Sequence, residues 1–224
     1  MGQLFYSMSL AMGIMITYGS YMKKDVSLES SVRQIEIFDT GIAFFAGLMI
    51  VPAVFAFSGG DEAALGKGPG LMFITLPKVF ESMKGGAIIG AAFFLLVLFA
   101  ALTSSISLME TVVSIVKDKI GWSRNKTCVL VLVFSILLGL PSSLGFGVWS
   151  SFSLGGMTFL DMSDFLSNSI LMPIVALLTC ILIGYVLNPK AIIEEIELTG
   201  PFKAKTLFTV VIKYIAPVCI VLII

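Results

Sequence analysis

One uncharged run limits what this chain can fold into. From Gly85 to Met109 there are 25 residues without a formal charge. A helix crossing a bilayer needs about 20 mainly apolar residues. The run is long enough, yet Thr103, Ser104 and Ser105 sit in its polar middle, Ala100-Ala101-Leu102-Thr103-Ser104-Ser105. Hydroxyls at that depth bond their own backbone, grip another helix or coordinate an ion. A second notch, Ser7-Met8-Ser9-Leu10-Ala11-Met12-Gly13, interrupts the apolar N-terminal segment. Two interrupted apolar segments in one chain point to a transport site built on broken helices.

Composition agrees with a membrane protein. The chain is 58% hydrophobic and 12% charged, about half the charge of a soluble domain. Zero net charge implies no nucleic-acid partner. The absence of histidine excludes histidine acid–base chemistry. Neither H-E-x-x-H nor G-x-S-x-G occurs, so an enzyme is not expected. Cys128, Cys180 and Cys219 lie far apart in apolar runs, without metal or redox spacing.

The pattern predicts an all-α polytopic protein with six spans, near residues 1–22, 38–60, 85–116, 127–144, 165–187 and 207–224. Residues 61–84 form a connector with Gly68-Pro69-Gly70 and a short amphipathic piece, Leu76 to Met83. Lys and Arg set the orientation. The loops after spans one, three and five, with Lys213, hold 11 of them, against Lys67, Lys78 and Lys84 opposite. The richer side is expected to be cytoplasmic, in the plasma membrane, which leaves Met1 and the connector outside. A chain that starts outside without a signal reads as the later part of a longer protein.

Several residues could carry chemistry. Gly13, Gly19, Ser7 and Ser9 loosen the first span, which either breaks near Ser9–Gly13 or stays a continuous, closely packed helix. Asp39 opens the second span and precedes 21 uncharged residues. It is either an intramembrane functional carboxylate or an N-cap at the interface. Glu110, deeper in the third span, caps, pairs or stays protonated. Ala100, Thr103 and Ser104 stand at i, i+3 and i+4, on one helical face. A carbonyl and two hydroxyls there suit a hard cation; back-bonding and packing are the commoner use of Ser and Thr in membranes. Gly86-Ala87-Ile88-Ile89-Gly90 is a small-residue packing pattern.

At these residues the chain resembles a known family. GQLFYSMSLAMGIMITYGSY looks like the sixth helix of the sodium:neurotransmitter symporters, the LeuT-fold amino-acid transporters. FAALTSSISLMETVV looks like their eighth, and FITLPKVF like the loop before it. The resemblance implies the second half of a LeuT-type inverted-repeat bundle, with a broken first helix, comprising helices six to about eleven. It implies sodium ligands at Ser7 and Asp39, and a second sodium set at Ala100, Thr103 and Ser104. An Asp in place of Asn resembles the bacterial members that work without chloride. It implies a substrate pocket at Tyr6, Ser9, Met12, Ser104 and Leu108, with the extracellular gate acid at Asp164 and a further matched position at Gln3. Met12 suits a pocket for larger hydrophobic amino acids. The family's helices one to five are missing, so sodium-coupled import is expected to need an N-terminal half, fused or separate. The alternative is a truncated membrane protein that does not transport.

Overall fold

A computed structural model describes residues 6–57, 70–149 and 157–223. Gln3, the first five residues of the N-terminal span, residues 61–69 of the connector and the centre of the Gly/Ser-rich stretch at 150–156 lie outside the described residues. Two compact units divide the chain, Glu36–Ile106 and Met1–Ile35 with Ser107–Ile224.

The N-terminal segment breaks. Tyr6 and Ser7 are helical, residues 8–13 are turns and bends, and helix α1 then runs Ile14–Tyr21. The break has a local cause. Ser9, Ala11 and Gly13 take φ of 54°, 60° and 81°. Left-handed backbone costs an L-residue about 1–2 kcal/mol and cannot continue a right-handed helix. Gly13 alone adopts it freely, and its carbonyl then accepts the first bond of α1, from Thr17 N–H at 2.9 Å.

Helix α2 runs Leu28–Phe57. Ser27 starts it, its hydroxyl accepting from Ser30 N–H at 3.3 Å, with Glu29 in the positive first turn. Helix α3, Leu76–Ser82, follows a one-turn π-helical stretch at Leu71–Thr75. Val54, Leu76 and Val79 make a buried cluster with Phe80, Phe93 and Ile50 around it.

Helix α4, Gly86–Ile120, is 35 residues long, about 50 Å at 1.5 Å per residue. Its start is set by close approach. A Cβ on Gly86 would stand 1.7 Å from the Phe80 carbonyl oxygen. One on Gly90 would stand 3.1 Å from the Phe80 ring. The Gly86/Gly90 pair is therefore an internal seat for Phe80, whose ring also meets Phe93 at 5.5 Å and Phe94 at 6.3 Å.

Helix α5 is Arg124–Leu144. Helix α6, Phe159–Asp164, opens on a capping box between Thr158 and Asp161. A π-helical turn at Phe165–Leu171, helix α7 at Met172–Ile181 and a second π-helical turn at Leu182–Val186 continue it. After helix α8, Pro189–Glu197, come helix α9 at Lys205–Val210, a π-helical turn at Val211–Ile215 and helix α10 at Ala216–Ile223. Helices α7 and α10 pack through Ala176, Cys180 and Ile220. Tyr185 fastens the two π-helical turns, its hydroxyl donating to the Lys213 carbonyl at 2.9 Å.

Five described segments are long and apolar enough to cross a bilayer, at 28–56, 86–120, 124–144, 159–186 and 205–222. The N-terminal segment does not join them, because its break leaves only eight residues in α1. Large exposed side chains such as Phe38, Phe44, Leu96 and Leu138 cover these segments, as a lipid-facing surface requires. This is an all-α, multi-pass membrane protein.

Gly86→Ala has no space for its methyl group against backbone. The variant is expected to lose about 1–3 kcal/mol of stability, seen as a lower unfolding midpoint in detergent. Gly90→Ala meets only a movable ring and should lose less.

Candidate functional site

The chemistry-bearing residues sit on the break and on two long helices. In the unit holding residues 107–224, the break carries Tyr6, Ser7, Ser9 and Met12. Tyr6 and Ser7 are exposed; Ser9 and Met12 are half-buried. Ser9 N–H donates to the Tyr6 carbonyl at 3.1 Å, closing a turn where the helix would have continued. Ala11 packs onto the Ala176–Cys180–Ile220 cluster. A Cβ on Gly13 would approach the Thr111 methyl to 3.1 Å. The broken backbone thus rests on α4, α7 and α10. Leu108, 40% exposed, lies on α4 in the same unit.

Three side chains tie the segment beyond the break to its neighbours. Tyr18 Oη and Ser107 Oγ are 2.5 Å apart. Tyr21 Oη donates to Glu110 Oε1 at 2.8 Å. Arg124 grips both oxygens of Glu110, at 3.0 and 2.6 Å. Of the three readings of Glu110, the structure shows the pairing one: a bidentate contact with Arg124. The sequence pointed to Glu110 but missed Tyr18, Tyr21 and Arg124. A signal was available, since Tyr18 and Tyr21 share the i, i+3 spacing of Ser107 and Glu110.

In the unit of residues 36–106, Asp39 occupies α2 itself. The helix starts 11 residues earlier, at Leu28, so the N-cap role falls to Ser27. Asp39 is half-buried, three turns inside a bilayer-length helix. Asp39 is therefore not the N-cap of α2.

Ala100, Thr103 and Ser104 lie mid-way along α4 in that unit, exposed on its surface. Thr103 Oγ1 donates to the Ala100 carbonyl at 3.0 Å. Two oxygens are thus held side by side on one face. The bond spends the hydroxyl proton and leaves oxygen lone pairs, which suit a hard cation.

Asp164 ends α6 in the larger unit and is exposed. Asn168, one turn on within the π-helical stretch, donates its amide to Asp164 Oδ1. The residues of the implied first sodium set, Ser7 and Asp39, therefore belong to different units. So do Ser104 and the rest of the implied substrate set.

A segment broken by left-handed residues, in a chain of long apolar helices, is the pattern of membrane transporters built on discontinuous helices. The chain matches the model of the sodium:neurotransmitter symporter family over residues 1–224, and it belongs to that family. It is 32% identical to the uncharacterized sodium-dependent transporter YhdH of Bacillus subtilis, over 100% of this chain and 49% of that protein. It is 34% identical to an uncharacterized sodium-dependent transporter of Haemophilus influenzae, over 100% of this chain and 48% of that one. The crystal structure of MhsT in complex with L-phenylalanine superposes with a TM-score of 0.88 at 37% identity, covering 99% of this chain and 49% of that one. The chain spans about half the length of the curated relatives it matches.

Gly13→Ala combines a left-handed φ with a methyl contact. It is expected to cost about 1–2 kcal/mol, measured as a lower unfolding midpoint. Adding Thr111→Ser should restore only the part due to the contact, because the φ strain stays.

Proposed function

We propose that this chain forms about half of a sodium-coupled symporter that imports hydrophobic amino acids by alternating access. The observation that carries the reading is the break at Ser9, Ala11 and Gly13 inside an apolar segment. Broken backbone at membrane depth is tolerated where it lines a cavity or rests on protein. There its free carbonyls and N–H groups become ligands.

Each residue then has a task. Ser7 and Asp39 supply oxygens to one sodium ion, the carboxylate neutralising its charge. The Ala100 carbonyl with the Thr103 and Ser104 hydroxyls supplies a second sodium ion. Tyr6, Ser9, Met12, Ser104 and Leu108 surround the substrate, with Met12 adapting to an apolar side chain. Asp164, steadied by Asn168, acts at the outer gate. The L-phenylalanine bound to MhsT supports a large apolar substrate. Both solutes are cargo, so coupling means that sodium stabilises the substrate-bound conformation. A second half, fused or separate, completes these sites in the plasma membrane, with the loop after α1 cytoplasmic.

Uptake of labelled phenylalanine by the completed protein should collapse when potassium replaces sodium. Undiminished uptake would sink the proposal. Asp39→Ala should raise the sodium concentration for half-maximal uptake about tenfold to a hundredfold, the worth of one charged ligand. The 224 residues alone are expected to bind no amino acid in a calorimetric titration, whereas binding would mean that their pocket is already complete.

A further inference from the structure

Helices α8 and α9 border an open cavity of about 460 Å³, lined by Lys190, Ile193, Glu194 and Glu197 and by Lys205, Thr206, Thr209 and Val210. Lys190, Ile193, Glu194 and Glu197 stand at i, i+3, i+4 and i+7, one face of α8. Asn188 fixes that face. It takes φ 65° and its side-chain oxygen accepts from Lys190 N–H at 3.2 Å. Ile193 and Pro189 are buried, so α8 cannot turn freely about its axis.

The four charges around the cavity divide equally between spent and unspent. Lys205 holds Glu197 with both carboxylate oxygens, at 2.6 and 2.7 Å. That ammonium keeps the Glu197 carboxyl below its ordinary range, so this wall is a closed, neutral pair. Thr209 donates to the Lys205 carbonyl at 2.9 Å. Among the described residues, neither Lys190 nor Glu194 has an ion-pair partner. They do not satisfy one another, and Lys before Glu at i, i+4 is the less favourable order on a helix. The cavity therefore offers one free cation, one free anion and the Thr206 hydroxyl, beside the apolar Ile193 and Val210.

Its place in the chain narrows the occupant. The cavity lies in the connection between two membrane-span-length segments, 159–186 and 205–222, where an amphipathic helix lies along the bilayer surface. A ligand there has a zwitterionic polar end and an apolar remainder. We infer that the α8–α9 cavity binds a phospholipid whose headgroup carries a phosphate and a primary ammonium, as in phosphatidylethanolamine. Lys190 and Thr206 take the phosphate, Glu194 takes the ammonium, and Ile193 and Val210 meet the start of the acyl chains. No transport step enters this inference, and it stands independently of the proposed symport.

Native mass spectrometry of the chain, released from micelles doped with phosphatidylethanolamine, phosphatidylcholine or phosphatidylglycerol, tests it. Phosphatidylethanolamine should be retained over the other two. Phosphatidylcholine lacks N–H donors for Glu194, and phosphatidylglycerol brings no cation. Glu194→Gln should remove the preference for the primary amine over phosphatidylcholine, by about fivefold, the upper range for one exposed charge pair. Lys190→Ala should weaken both zwitterionic lipids, and Lys190→Arg should keep them. Helix content by circular dichroism shows whether each variant is folded. Equal retention of the three lipids, a preference for phosphatidylglycerol, or unchanged selectivity in a folded Glu194→Gln would overturn the inference.

Discussion

A bilayer offers backbone amides no water, so a helix that breaks there must find other support. This constraint governs the chain around the Ser9–Gly13 break. Three left-handed residues in five positions end the right-handed ladder. Strain of this kind persists only where the surroundings over-determine it. Here the surroundings are specific. Ala11 is set against the α7–α10 cluster, Gly13 sits beside Thr111, and α1 is held by Tyr18 and Tyr21 through α4. The Arg124 fork on Glu110 then couples the start of α5 to that contact.

The same division between a rigid frame and a loosened backbone recurs elsewhere. Four π-helical turns occur among the described residues, at 71–75, 165–171, 182–186 and 211–215. A π-helical turn shifts the register of bonds and frees a carbonyl. At 211–215 Tyr185 takes up the Lys213 carbonyl, so a local irregularity becomes an interhelical tie. At 165–171 the irregular turn carries Asn168 against Asp164. Capped ends do the opposite work. The Thr158–Asp161 box satisfies two orphan donors, and so assigns Asp161 to structure.

Much of this was legible in the sequence, for a physical reason. Apolar length and notched polarity are one-dimensional properties, so the long helices and the weak point near Ser9 could be read directly. Resemblance added the family, which local propensity could not supply. What escaped was information that exists only between segments. Asp39 looked like an even choice between cap and intramembrane carboxylate, until the Ser27 start of α2 removed the cap role. Glu110 left three readings open because its partner, Arg124, lies 14 residues on, beyond the reach of helical periodicity. The Gly86/Gly90 pattern named a close approach without naming Phe80 as what approaches.

The carbonyl–hydroxyl pair shows how a local preference and the proposed binding role can share one geometry. Back-bonding of Thr103 to Ala100 at 3.0 Å satisfies the hydroxyl inside an apolar helix without any ligand. The same bond holds two oxygens together on one face. An ion arriving there meets oxygens already in place, and the side-chain entropy of ordering Thr103 has been spent in folding. Preorganisation of this kind lowers the cost of binding. Back-bonding also shows how the notch is tolerated in an apolar run: Thr103 and Ser105 donate to the Ala100 and Leu102 carbonyls.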